Sequence, residues 1–451
     1  MSVDRDEMWQ RLGELVARAM EQNKVPGVAL GIHQDGETRT AGWGVTSVEN
    51  PLPVTAGTLF QIGSITKTFT ATAVMHLVEQ GKVNLGARVR DYLPDFSVQD
   101  EQAGAEATVQ HLLTHSGGWA GDFFHGTGQG DDALARYVAD MAGLPQLAPL
   151  GSQWSYNNAG FGVAGLLVER VTGRPFEAAL KELLLDPVGL ERCFFDPAEV
   201  MTRRFAVGHN DGEQGPQVAR PWLLDRYVAP LGGIVTDVED LLRYARFHLG
   251  GGPEGVLPAA LLEQMHSPQV SIWRGESWGL GWSIQEVSGA REVMHGGGTK
   301  GQVSLLALVP ERAFALAVLT NGENGGQLTQ AVRRWVLKET LGLEVPIPRP
   351  MESDGQELGE LVGHYRGYYG DLALGLLAGK LVGQRIFKRG FPNEDVPPPP
   401  APPPMSFGLC ERDRLVVLDG GFKDATADVV RRADGSIGWL RFSGRLHVRE
   451  S

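Results

Sequence analysis

The stretch Ile62-Gly63-Ser64-Ile65-Thr66-Lys67-Thr68 decides how the rest of the chain is read. It opens a segment, Ser64 to Gln80, that lacks Gly and Pro, carries apolar residues in helical spacing and is followed by Gly81 at a C-cap position. The spacing predicts a helix beginning at Ser64. Ser64 and Lys67, three positions apart, then project from one face. The hydroxyl lies near the helix N-terminus, where backbone N–H groups and the dipole favour developing negative charge, and a buried lysine of lowered pKa can take its proton. An S-x-x-K tetrapeptide arises by chance in many helices, so the chemistry rests on what surrounds it.

Toward the N-terminus, Met8, Leu12, Leu15, Val16 and Met20 recur at helical spacing between Asp6 and Asn23, and Val28 to Ile32 and Thr38 to Thr40 flank the hairpin signal Asp35-Gly36. Beyond the Ser64 segment, Asp131 to Gly173 is mostly helical, with Ala159 to Val171 apolar nearly all round. Arg291 to His295, Val303 to Val309 and Phe314 to Thr320 are consecutive antiparallel strands, and Gln327 to Leu341 is a helix closed by Gly342. Pro346, Pro348 and Pro350 then punctuate the chain, which predicts one domain over 1–345, a linker over 346–351 and a second domain over 352–451. The second domain carries short β-like runs at Gly363 to Tyr369, Arg414 to Leu418 and Trp439 to Phe442, the pattern of a small antiparallel barrel or sandwich. Val396 to Pro404, nearly all proline, lacks the donors of a central strand and reads as a loop or protruding arm.

The chain has 451 residues, 42% hydrophobic and 21% charged, within the range of folded proteins and long enough for two or three domains. A net charge of −13 disfavours a nucleic-acid partner, which requires a clustered basic surface, and the sequence shows no such cluster. The pairs Arg333-Arg334 and Arg431-Arg432 read as solvated faces of a helix and a strand. Cys193 and Cys410, far apart and outside any metal-ligand spacing, exclude a disulfide scaffold. The start Met1-Ser2-Val3-Asp4-Arg5-Asp6-Glu7 has no basic and apolar export signal, and no apolar run is long enough to span a membrane, so a cytoplasmic protein without membrane attachment is expected.

Two further motifs carry chemistry. Tyr156-Asn157-Asn158 stands before the buried helical segment and offers a phenol and an amide from one tight turn; a tyrosine beside a lysine ammonium can relay a proton, and Asn158 can hold a substrate amide. His295-Gly296-Gly297-Gly298 closes one strand before the next, and glycines let a substrate approach backbone N–H groups that meet an oxyanion. His111 and His115 lie four apart but enclose no Glu, which disfavours a zinc hydrolase. Asp122, Asp131 and Asp132 read as exposed acids of a Gly-rich loop.

In order and spacing these motifs resemble the serine beta-lactamase and penicillin-binding-protein superfamily, most closely the group around class C beta-lactamases, D-aminopeptidases and related esterases, over about Asp6 to Leu341. Val25-Pro26-Gly27, His111 to Gly118 and Leu308-Val309-Pro310-Glu311 ahead of Thr320-Asn321 agree. The resemblance implies an α/β (α+β) catalytic domain, an antiparallel sheet flanked by helices with a helical subdomain. It implies Ser64 as acylated nucleophile, Lys67 as its partner, Tyr156 as general base, Asn158 as substrate contact, and Ser64 and Gly298 as oxyanion hole, with no metal or cofactor. His295-Gly296-Gly297 stands where the family commonly has K-T-G, which replaces an ammonium by an imidazole expected to titrate near neutrality. That favours a peptidase or small-ester hydrolase over a beta-lactamase or D,D-carboxypeptidase; a catalytically silent scaffold would be expected to lack Ser64, Lys67 or Tyr156. The region after Met351 resembles the lipocalin-like domains appended to some members, which cap the site, limit substrate size or build a homo-oligomer. The partner expected is a small peptide, amide or ester.

Overall fold

The computed structural model describes residues 5–253 and 255–450, so the Met1–Asp4 part of the start read for an export signal lies outside the described residues. Two compact units are present. The first comprises the described residues of Met1–Ala87, Gln129–Leu134 and Ala164–Val345; the second comprises Arg88–Gly128, Ala135–Val163 and Pro346–Ser451.

In the first unit, helix α1 (Arg5–Asn23) leads into strands β1 (Gly27–Gln34) and β2 (Glu37–Gly44), joined at Asp35-Gly36. Helix α2 (Thr66–Glu79) follows the Ser64 turn. After helix α3 (Asn158–Thr172), whose first residues belong to the second unit, comes helix α4 (Val238–Arg246). Strands β3 (Val270–Trp273), β4 (Glu276–Trp278), β5 (Ser283–Val287), β6 (Ala290–Thr299), β7 (Gln302–Val309) and β8 (Phe314–Thr320) precede helix α5 (Gly325–Leu341). The sheet runs β2-β1-β8-β7-β6-β5-β4-β3, antiparallel throughout.

Alternation places the two sheet faces. Val28, Leu30 and Ile32 of β1, with Phe314, Leu316 and Val318 of β8, share one core with Leu12 and Val16 of α1 and Val332 and Val336 of α5. The opposite face meets α4, where a Cβ at Gly31 would lie 2.4 Å from Leu242 Cδ1. Strand β8 is buried on both faces, which explains its continuous apolar run. The α5 C-terminus is closed by Gly342 at φ 69°, the left-handed cap its position predicted.

The second unit holds a closed eight-stranded up-and-down barrel: β9 (Gly363–Arg366), β10 (Gly370–Leu377), β11 (Lys380–Phe387), β12 (Met405–Glu411), β13 (Arg414–Val417), β14 (Thr426–Arg431), β15 (Ile437–Phe442) and β16 (Arg445–Arg449). Closure joins β9 to β16 through Tyr365 and Arg449, which leaves no edge strand to aggregate. The proline run lies between β11 and β12 and enters no strand.

Compactness groups the chain differently from the sequence boundary at 346–351. Residues 88–128 and 135–163 satisfy polar groups of the barrel: Trp439 Nε1 donates to Leu147 O at 2.8 Å, Arg441 Nε to Trp154 O at 3.1 Å, and Gly126 N–H to the Glu394 carboxylate at 2.8 Å. Three local readings are corrected. Ser64 sits in a 3₁₀ turn, Gly63–Ile65, and the α-helix starts at Thr66. Gly296 to Gly298 lie inside β6, the turn falling at Lys300-Gly301. Arg333 is buried, 4% exposed, because Glu292 on β6 receives its Nε at 2.7 Å. Among the described residues no helix is long and apolar enough to cross a membrane.

Candidate active site

The first unit contributes Ser64, Lys67, His295 and the glycines of β6. Helix α2 is buried from Thr66 to Met75, so Lys67, one turn beyond Ser64, is removed from water along its whole length. Its ammonium has polar partners: Nζ lies 3.0 Å from Ser64 Oγ and donates to Leu231 O at 2.5 Å. A nitrogen and a hydroxyl at this separation are within range of direct proton transfer. Leu231 belongs to the short helix Ala229–Gly232, whose Pro230 carbonyl accepts from Thr70 Oγ1 at 2.6 Å and so ties it to α2.

The serine turn is pinned against the sheet by neighbours that carry no motif. Ser304 Oγ donates to Ile62 O at 2.8 Å, Gln302 Oε1 accepts from Gln61 N–H at 3.1 Å, and Ile62 N–H reaches Ile234 O at 3.0 Å. The glycines make the approach possible. A Cβ at Gly63, where φ is +52°, would lie 2.6 Å from Gly298 N, and one at Gly297 would lie 1.8 Å from Ile62 O. Gly298 therefore passes directly beside the turn that carries Ser64, and it is exposed there.

His295 faces the interior, 3% exposed, with Trp278 edge-on at 5.5 Å and its Nδ1 2.6 Å from Gly296 O. Burial, reinforced by the charge of Lys67, pushes its pKa down to about 3. The expectation that it titrates near neutrality is corrected: the imidazole is neutral throughout the ordinary pH range, because a second cation would have to be buried beside the first.

Tyr156 and Asn158 lie in the second unit, at the entry to α3. The turn is tied at every residue. Tyr156 N–H donates to Gly444 O at 2.8 Å, Asn157 N–H to His115 Nδ1 at 3.0 Å, Asn157 Nδ2 to Trp119 O at 2.9 Å, and Asn158 Nδ2 to Asp122 Oδ1 at 2.6 Å. The His115 ring packs on Tyr156 at 4.3 Å between centroids. His111 points elsewhere, to Thr108, so the two histidines do not converge.

Asp122 was read as an exposed loop acid, and here it is corrected: it is 6% exposed, and Arg445 binds it at 3.0 Å. Burial opposes its ionisation, but Arg445 and Asn158 prevail and hold its carboxyl below the usual range. Nothing in the sequence marks Arg445, because the contact spans more than three hundred positions and depends on barrel closure. His115, by contrast, lies in the His111 to Gly118 phrase, and Trp119 directly follows it.

The Beta-lactamase family model matches residues 12–340. The chain is 35% identical over 358 residues to Penicillin-binding protein 4 of Amycolatopsis lactamdurans, covering 76% of this chain and 94% of that one. It is 28% identical over 362 residues to Esterase EstB of Burkholderia gladioli, covering 70% and 91%. Among solved structures, SurE with D-Leu superposes with a TM-score of 0.76 at 25% identity, covering 99% of this chain and 100% of that one.

Proposed function

Because the chain belongs to the beta-lactamase family, it is a serine hydrolase, and we propose that it works through an acyl-enzyme on Ser64, cleaving short peptides, those with D-residues included, or small esters. The observation that carries this reading is the Ser64 Oγ to Lys67 Nζ distance of 3.0 Å, with Lys67 wholly buried. The neutral His295 supports the substrate class: where the family's third motif commonly has a lysine ammonium to attract the carboxylate of a beta-lactam or a peptide C-terminus, position 295 carries no charge. The names of two relatives, an esterase and a structure holding D-Leu, point the same way.

In this mechanism Lys67 reacts in its deprotonated form, in exchange with the resting ammonium, and accepts the Ser64 proton as Oγ adds to the acyl carbon. The carbonyl electron pair moves onto oxygen, where the Ser64 and Gly298 N–H groups stabilise it. Collapse breaks the bond to the amine or alcohol, which leaves with the proton taken from Ser64, Tyr156 being by the family resemblance the carrier of that proton. Asn158 orients the substrate amide. Water then adds to the acyl-enzyme by the same proton path, releasing the carboxylic acid and restoring Ser64.

Intact-mass spectrometry after exposure to a fluorophosphonate and, separately, to a penicillin tests this, with Ser64→Ala as control. The expected result is a stable fluorophosphonate adduct that Ser64→Ala abolishes and no lasting penicillin adduct. A persistent penicillin adduct would move the assignment to a penicillin-binding protein. No adduct with either reagent would leave a silent scaffold.

A further inference from the structure

The barrel reaches the tyrosine turn through one hairpin. Between β15 and β16 the residues Ser443-Gly444 close a tight turn into Arg445, the first residue of β16, Gly444 adopting φ +75° with a Cβ position only 3.0 Å from the Trp154 ring. Three successive residues of this hairpin bind the segment that carries Tyr156. Gly444 O accepts the Tyr156 N–H, Leu446 N–H donates to Ser155 Oγ at 3.2 Å, and the Arg445 guanidinium carbon lies 4.6 Å from the Tyr156 ring centroid. Arg445 also anchors the neighbouring amide. Its Nε and Nη2 reach the two Asp122 oxygens at 3.0 and 3.3 Å, its Nη1 donates to Ser443 O at 2.8 Å, and Asp122 in turn receives Asn158 Nδ2.

We propose that Arg445 is a positioning residue for the reaction: by its two-point hold on Asp122 it sets the Asn158 amide, and by its cation on the ring face it sets and polarises Tyr156. The role rests on the reading of Tyr156 as the proton carrier. A planar fork is needed, because only two parallel donors fix the carboxylate against rotation about its own bond. A cation on the ring face also favours the phenolate over the phenol, so the same side chain couples geometry to proton transfer. The pair makes the arrangement stable: desolvation opposes the charge on both groups, most on the buried Asp122, and their mutual attraction outweighs it.

The test is steady-state hydrolysis of p-nitrophenyl acetate across pH by Arg445→Gln, Arg445→Lys, Tyr156→Phe and the double variant Tyr156→Phe/Arg445→Gln, in the full chain, with thermal melts alongside. The expected result for Arg445→Gln is a loss of about 10²-fold in kcat with KM within about twofold, the size a misplaced catalytic group produces. The pH–rate limb that Tyr156→Phe removes should shift to higher pH. The double variant should lose less than the product of the two single losses, because part of the arginine's effect passes through the tyrosine and only the part that passes through Asn158 remains to be lost. Arg445→Lys, which keeps the charge but not the fork, should fall between Gln and the native chain, and it carries the test if Arg445→Gln fails to fold. A native melt with native kcat and pH profile in Arg445→Gln, or full additivity in the double variant, would overturn the positioning role. If Tyr156→Phe itself loses nothing, it is the assignment of Tyr156 that fails; if Ser64→Ala keeps the activity, the hydrolase mechanism fails.

Discussion

At the scale of single residues, the site is governed by what burial does to charge. His295, with a pKa of about 3, His266 and His447, each at about 4, and His248, also driven well down, are all harder to protonate folded than unfolded, desolvation being the first cause in each. The unfolded chain therefore takes up more protons below about pH 6.5, and stability falls as pH drops through that value toward the folded pKa values. At pH 5.5 each of His295, His266 and His447 costs about 1.4 kcal/mol. Thermal melts should show a lower Tm at pH 5.5 than at pH 7, and His295→Gln should flatten that dependence; an unchanged slope would show that the imidazole is not buried neutral. Lys67→Met, similar in shape, should cut the rate of Ser64 labelling by fluorophosphonate by about 10²-fold or more, the usual contribution of a general base. Labelling at the native rate would remove Lys67 from the mechanism.

At the scale of elements, the serine turn and β6 fit because two positions have no side chain. Gly63→Ala should push the turn off Gly298, since the new methyl would sit 2.6 Å from Gly298 N at a φ that disfavours Ala. The expected outcome is a kcat loss of about 10²-fold with the melt lowered by only a few degrees, read from ester hydrolysis and calorimetry. The Glu292–Arg333 pair joins β6 to α5 in the core with both side chains nearly inaccessible. Glu292→Leu alone strands a buried guanidinium and should cost about 3–5 kcal/mol, whereas Glu292→Leu with Arg333→Met should recover most of it. A denaturant midpoint for the double variant as low as that of the single one would contradict this account.

At the scale of the whole molecule, the barrel is part of a larger compact unit and its partners are residues 88–128 and 135–163. A chain ending at Val345 should therefore melt more than about 4 °C below the full chain, the shift that one to two lost kcal/mol produces at this size. An equal Tm would support the boundary at 346–351 as the division. The sequence by itself determined the elements whose period is local: the helices at 6–23 and 327–341, the hairpin at 35–36, the strands around 291–320 and the short β-runs of the C-terminal region, because side-chain alternation and capping are written within a dozen residues. It also determined the candidate residues, since Ser64 and Lys67 lie one helical turn apart and the Tyr156 and His295 motifs are contiguous. Tertiary structure alone decided the charge on His295, the burial of Arg333 and Asp122, and the reach of Arg445 to the tyrosine turn. Each depends on a partner tens to hundreds of positions away, and the desolvation and ion pairing that fix these properties exist only once the chain has folded around them.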